Sequence, residues 1–408
     1  MNEHRSPFLP LLLLAALVAC TPPAPEAPPP PPPAVVDTVD ITAADTIAPV
    51  PPAPRPAPPE LNAAADLISG RASGDAEYRR TAEGLEKDWE LLQRDKLRPI
   101  RAWMAERYDT LSGQQRLVFY PFGGPDIAFA SAFYPNADTY VLVGLEDVGQ
   151  LGWFGTLSGE ETLQRLLEWS NILRVSNRFG FFKTIDMRQQ FTEERGIADM
   201  LMYYLRQMGA DLLEAHLLAW EEGQRIQGAK LVDTLAGDEA RVEMYEASQH
   251  RLVRMEPGSP KRADGIKYVY RLPDGSEKQV YYFRQDLSND GFSGSPFLAW
   301  MTAQGPFCSL NKAASYLMHS NSFSKVRSFM LDNTRFHLQD DTGPRYKELR
   351  ARGFSVDVHG RYSRIDPLFS MGPQADLMDA YAERPGPVIP FKIGYMGHAV
   401  GTNLQVAY

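Results

Sequence analysis

Arg116-Leu-Val-Phe-Tyr120, Pro121-Phe-Gly-Gly-Pro-Asp126, Ile127-Ala-Phe-Ala-Ser-Ala-Phe133 and, past the turn Pro135-Asn-Ala-Asp138, Thr139-Tyr-Val-Leu-Val-Gly-Leu-Glu146 decide the fold. Short apolar runs rich in Val, Leu, Phe and Tyr, each bounded by Gly, Pro, Asn or Asp, read as strands. The order is therefore strand, glycine loop, short helix, strand. That unit places the chain in the α/β or α+β class, with a mixed sheet flanked by helices.

The flanking sequence extends this reading. Upstream, Leu61 to Tyr108 carries Leu85, Trp89, Leu92, Leu97, Trp103 and Met104 at helical spacing, which predicts two helices broken near Pro99. Downstream, amphipathic helices are expected over Gly159 to Asn177 and Glu193 to Gly209. Short strands are expected at Leu213 to Trp220, Ala229 to Leu235, Arg241 to Tyr245 and Arg251 to Met255. Lys267 to Phe283 reads as a hairpin, because Asp274-Gly275 supplies the positive φ of a tight turn. Helices return at Leu298 to Gln304 and Ser322 to Asp332, and strand-like pieces close the chain at Val388 to Met396 and Asn403 to Tyr408. No internal repeat is visible, so residues 61–408 are expected to form one mixed α/β domain.

The first sixty residues are of another kind. Arg5, offset by Glu3, precedes an apolar run from Phe8 to Val18 that is too short to span a bilayer. The run ends in Leu17-Val-Ala-Cys20, which resembles a bacterial lipobox. The resemblance implies a signal peptide over 1–19, cleavage before Cys20 and acylation of its thiol. At roughly 0.8 kcal/mol per buried CH₂, two or three acyl chains hold a protein firmly to a lipid bilayer. Thr21, rather than Asp, after the cysteine points to the outer membrane, facing the periplasm. From Pro22 to Glu60 nearly every second residue is proline, with an unbroken run Pro28 to Pro33. Such a segment lacks backbone donors and bulky apolar surface. Residues 20–60 are expected to be a disordered tether reaching on the order of 100 Å in polyproline II.

Charge and cysteine content exclude several partners. The formal net charge is −9, part of it on the tether, and an acidic domain argues against nucleic acid. Cys308 is the one cysteine outside the N-terminal region, which excludes an intramolecular disulfide within the domain and a cysteine-based zinc site.

Four fragments invite a chemical reading. The Gly123-Gly124 loop followed by Glu146 at a strand end resembles the first βαβ unit of nucleotide-binding or methyltransferase-like Rossmann folds, where such an acid takes ribose hydroxyls. The full Gly-x-Gly-x-x-Gly pattern is absent, Pro125 removes an amide, and an exported protein has no ready supply of SAM or NAD. A tight turn with Asp126 capping the next helix is the expected role, and no cofactor is called for. Gly291-Phe-Ser-Gly-Ser-Pro296 resembles the nucleophile loop of chymotrypsin-like proteases, with Ser293 as candidate, but lacks a suitable histidine upstream and reads as a surface turn. Ser309-Leu-Asn-Lys312 matches the Ser-x-x-Lys of penicillin-binding proteins without that family's other elements. His337-Leu-Gln-Asp-Asp-Thr-Gly343 gathers Asp340 and Asp341, which suit a hard cation or acid and base roles, or simply a turn.

Taken together, Tyr120 to Asp126, Pro135 to Glu146, Lys312-Ala-Ala-Ser-Tyr-Leu-Met-His319 and Gln339 to Gly343 resemble a family of uncharacterised bacterial exported proteins. That resemblance covers most of the domain and implies no established activity. The expected function is a membrane-anchored envelope protein that presents a binding or assembly module to an envelope protein or glycan. Gly123, Gly124, Asp126, Glu146, Asp340 and Asp341 are its candidate ligand-binding residues, with no metal among them. The competing expectation is an envelope hydrolase or metal-dependent enzyme using Asp340, Asp341 and a histidine.

Overall fold

Strand β1 (Leu117–Tyr120) sends Val118 and Tyr120 into one core and Phe119 into another. β2 (Thr139–Gly144) divides Tyr140 and Leu142 from Val141 and Val143 in the same way. Strands covered on both faces read as continuous apolar runs, which is why this stretch is so legible. The computed structural model describes residues 55–113, 116–149, 158–181, 196–220, 226–230, 243–246, 251–254, 263–362, 374–394 and 402–408. Cys20, the signal peptide and most of the tether lie outside them.

The compact unit starts at Arg55, ahead of the composition change at Leu61. Arg55 donates to Glu214 and Glu277, both at 2.6 Å. Helices α1 (Pro59–Ile68), α2 (Ala76–Leu92) and α3 (Arg98–Arg107) follow, with a short α4 (Asp109–Ser112) behind them. The expected break near Pro99 is instead a five-residue π segment, Gln93–Leu97, after which Pro99 sits in the first turn of α3. Leu97 and Arg98 keep right-handed helical φ and ψ, so the helix runs on through Pro99 without a break. α5 (Ile127–Phe133), α6 (Gly159–Phe179) and α7 (Ala198–Gln207) complete this layer, which packs Trp89, Trp103, Phe129, Trp169 and Tyr204 onto one sheet face. On the other face lie α8 (Asn289–Phe292), α9 (Pro296–Ala303), α10 (Ser324–Asn333) and α11 (Tyr346–Ala351). They bury Phe292, Phe297, Met330 and Leu349. α12 (Ala375–Glu383) packs on α11.

Besides β1 and β2, the sheet contains β3 (Asp211–Trp220), β4 (Ile226–Lys230), β5 (Glu243–Glu246), β6 (Arg251–Arg254), β7 (Gly265–Arg271), β8 (Glu277–Arg284), β9 (Phe307–Asn311), β10 (Thr334–Gln339), β11 (Val356–Gly360) and β12 (Asn403–Ala407). Their spatial order is β11-β12-β10-β9-β1-β2-β8-β7-β3-β4-β5-β6. Strands β8, β2, β1, β9 and β10 are mutually parallel. Beyond β8 the sheet turns antiparallel, beginning with the β7–β8 hairpin, whose Gly275 takes the expected left-handed φ of 85°. At the far side β12 inserts antiparallel between β10 and β11 and is buried along its whole length.

Mixed α/β architecture is thus the observed class. The structure adds β9, β10 and β11, which were not expected. It also corrects one segment: Val388 to Gly394 forms no strand. Within it the Lys392 carbonyl accepts from Lys96 Nζ at 2.7 Å.

Candidate functional site

Chain order of the five parallel strands decides where a site can form. From β1 the chain proceeds to β2 and then β8 on one side, while β9 proceeds to β10 on the other. β1 and β9 therefore flank a topological switch point, the place where open α/β sheets form a crevice at the carboxyl ends of their strands. The loops leaving those two ends are Pro121 to Asp126 and Lys312 to Tyr316.

Both loops are bent against their intrinsic preference. Among the described residues, four non-glycine side chains have positive φ: Phe122 (61°), Ala313 (52°), Ser315 (50°) and Tyr316 (55°). All four lie in these two loops. Left-handed backbone costs an L-residue roughly 1–2 kcal/mol, so the surrounding structure must hold it in place.

The holding groups come from the end of β10. Asp340 accepts from the Ala313 amide at 2.8 Å through Oδ2 and from the Thr342 amide at 3.0 Å through Oδ1. The Thr342 hydroxyl in turn accepts from the Ala314 amide at 2.8 Å. Asp341 accepts from the Tyr316 hydroxyl at 2.7 Å and from Asn403 Nδ2 at 2.8 Å. Both carboxyls are fully buried. Burial, together with their mutual repulsion, holds Asp340 well above the usual carboxylate range, and burial raises Asp341. The two aspartates strap the strained loop down. Among the described residues His319 bonds the Gly343 carbonyl, His337 bonds Ser309 and Gln339, and His359 meets Tyr108. None of these hydrogen bonds is to an Asp340 or Asp341 carboxylate, and among the described residues no group of three His, Cys, Asp or Glu side chains could hold a metal ion.

Asp126 occupies the N-cap position of α5, yet its side chain makes no cap hydrogen bond. The expected cap is corrected here: the carboxylate turns inward and pairs with Lys312 at 2.8 Å, both side chains being 1% exposed. Asp126 Oδ2 also accepts from the Tyr120 hydroxyl at 3.0 Å, whereas Oδ1 is buried without a hydrogen-bond partner. Burial outweighs the Lys312 charge and raises the Asp126 pKa. The Lys312 ammonium donates to the Gly180 carbonyl at 2.5 Å and lies 3.9 Å from the Phe129 ring centroid. It joins β9, the β1 loop and the C-terminal end of α6 at one point.

Gly124 (φ 56°) lets the β1 loop settle over the end of β2, with its amide donating to the Val143 carbonyl at 3.2 Å. Gly123 is buried against the Tyr120 ring. Glu146 is half-buried at the end of β2. Its Oε2 accepts from the Leu145 amide and lies 3.1 Å from the Tyr282 hydroxyl. Gly123, Gly124, Asp126, Glu146, Asp340 and Asp341 thus share one edge of the parallel strands. Asp126 and Asp340 meet the same loop, at Lys312 and Ala313.

Sequence reading missed Lys312 as a site residue. The available signal was a lysine directly after the apolar run Phe307 to Leu310. Its apparent motif partner Ser309 bonds Thr334 and His337 instead, so the Ser-x-x-Lys match places no serine on the lysine. Ser293 closes α8, and among the described residues no histidine is hydrogen-bonded to it. No family model matches the chain. No curated protein and no solved structure matches it either.

Proposed function

We propose that this chain is a lipid-anchored protein of the bacterial envelope whose compact unit is a ligand-binding module. The anchor is acylated Cys20, the spacer is the proline-rich segment, and the membrane is the outer one with the module facing the periplasm. The ligand seats at the carboxyl edge of the parallel strands, over the loops after β1 and β9. One observation carries the binding site: every left-handed non-glycine residue described lies in those two loops. Strain of that kind persists where the surroundings overdetermine it, and it clusters at ligand clamps. No helix among the described residues is long and apolar enough to cross a membrane, so anchoring in this reading rests on Cys20.

Two measurements test it. Cys20→Ser is expected to abolish lipid labelling and membrane fractionation of the full chain; a variant still labelled overturns the anchor. For the site, native mass spectrometry of the full chain extracted from envelopes reads ligand occupancy. A bound mass is expected in the unmutated protein. It should be lost in an Ala313→Gly, Ser315→Gly variant, whose glycines relax the loop. Equal occupancy in both proteins, or none in either, overturns the site.

A further inference from the structure

Lys312 stands where a doubly wound sheet receives its ligand, and it is enclosed like one. Its ammonium meets a carboxylate oxygen of Asp126 at 2.8 Å, a carbonyl oxygen of Gly180 at 2.5 Å and the face of Phe129 at 3.9 Å. Carboxylate, carbonyl and aromatic face are the three groups that bind an ammonium in a site shielded from water. The second carboxylate oxygen, Asp126 Oδ1, is buried beside it, with the Phe129 amide close to the same carboxyl. The pocket is therefore a complete cation site whose occupant comes from the chain itself.

The occupant is carried on a loop that opposes its own closure. Ala313, Ser315 and Tyr316 follow Lys312 directly, all left-handed. Hydrogen bonds tie Ala313 to Asp340, Ala314 to Thr342 and Tyr316 to Asp341. Pro125 removes an amide from the neighbouring loop, and the Asp126 carboxyl beside Lys312 disfavours an anionic group; the second buried ammonium that feels the Lys312 charge, Lys96, is tied to the Lys392 carbonyl at 2.7 Å. The same edge that suits a phosphate poorly suits an amine well.

We infer that the site takes a ligand bearing a primary ammonium group, and that Lys312 is its internal stand-in, displaced when the ligand binds and the 313–316 loop relaxes. This rests on the binding site proposed above and adds the ligand's chemical class. A buried ion pair serving only architecture makes a different prediction, because it has no reason to yield to a free amine.

The test uses the full chain with n-butylamine, protonated at neutral pH and equal in length to the lysine side chain, and with n-butanol as the uncharged control. Lys312→Gly empties the cage back to Cα and lowers the unfolding temperature. n-Butylammonium is expected to restore at least half of that loss, and n-butanol little of it. In the unmutated protein, n-butylammonium is expected to speed hydrogen exchange at the Ala313 and Ala314 amides roughly tenfold. No rescue of the variant overturns the ammonium cage, and unchanged exchange overturns displacement. If Lys312→Gly does not fold, the exchange measurement on the unmutated chain decides alone. Failure here with ligand occupancy still lost in the Ala313→Gly, Ser315→Gly variant rejects the amine class and leaves the site. Unaltered occupancy in that variant rejects the site itself.

Discussion

Two ion-pair clusters sit at opposite ends of the same parallel strands. At the carboxyl end, Lys312 and Asp126 are 2.8 Å apart with side chains 1% exposed. At the other end, where β8 begins, Arg55 bridges Glu214 and Glu277 at 2.6 Å, and Arg271 donates to Glu277 at 2.7 Å. The contact lengths are nearly equal, but Arg55 is half exposed. Water screens and competes for the exposed pairs, so they contribute little. The buried pair has no solvent to fall back on, and removing one partner strands the other. Distance alone says nothing of an ion pair's weight; environment does.

The contrast can be broken by substitution. Asp126→Ala should cost about 3–5 kcal/mol, because Lys312 is left buried beside one carbonyl and a ring. An Asp126→Leu, Lys312→Met variant should recover most of that loss; urea midpoints at constant m-value measure both. A double variant as unstable as the single one would mean that the charge was not what mattered.

Acid comes next in size. Burial lowers His319, His337 and His359 to about 4. A depressed histidine pKa means that the unfolded chain binds more protons between that value and the ordinary 6.5. Stability should therefore fall as pH drops through this window, by about 3 kcal/mol per histidine. His337→Gln should flatten part of that limb in thermal unfolding followed against pH, and an unchanged slope would count against a buried neutral His337.

Asp340 tilts the curve the other way. Its folded pKa is raised, so its contribution is full below the ordinary carboxylate pKa and is lost as pH rises through the folded value. Asp340→Asn should cost about 1 kcal/mol in mild acid, from a weakened strap on Ala313 and Thr342, and the gap to the unmutated protein should close as pH rises. A gap that widens instead would show that the aspartate is ionised and stabilising. The smallest effect belongs to Arg55→Ala, at about 1 kcal/mol or less and vanishing in salt. A loss as large as that of Asp126→Ala would erase the distinction between the two ends.

What sequence could show follows the same division. Ile127 to Phe133 and the Lys267 to Phe283 hairpin were legible because their apolar pattern and turn residues speak locally. β9 and β10 were not, although both are central. Their buried faces carry Ser309, Asn311, His337 and Gln339, residues that read as loop. Ser309 meets His337 at 2.7 Å, His337 meets Gln339 at 2.7 Å, and Gln339 donates to Gln405 at 2.9 Å. Ser309 and Gln405 come from other strands, 28 and 66 residues from their partners, so no local pattern announces the network. Lys312 was obscured for the same reason, since its carboxylate lies nearly two hundred residues upstream. Asp340 and Asp341 were legible as a cluster, but their work on a strained loop requires the backbone to be seen.

β12 carries a further consequence, in time rather than in energy. Asn403 to Ala407 forms ladders with both β10 and β11, so the sheet cannot close on that side until residue 407 is available. Every earlier intermediate exposes two unpaired strand edges, and such edges recruit other chains. Distant pairings of this kind slow folding. Synthesis must therefore run almost to Tyr408 before β10 and β11 are joined, and the interval before then is when the chain most needs protection.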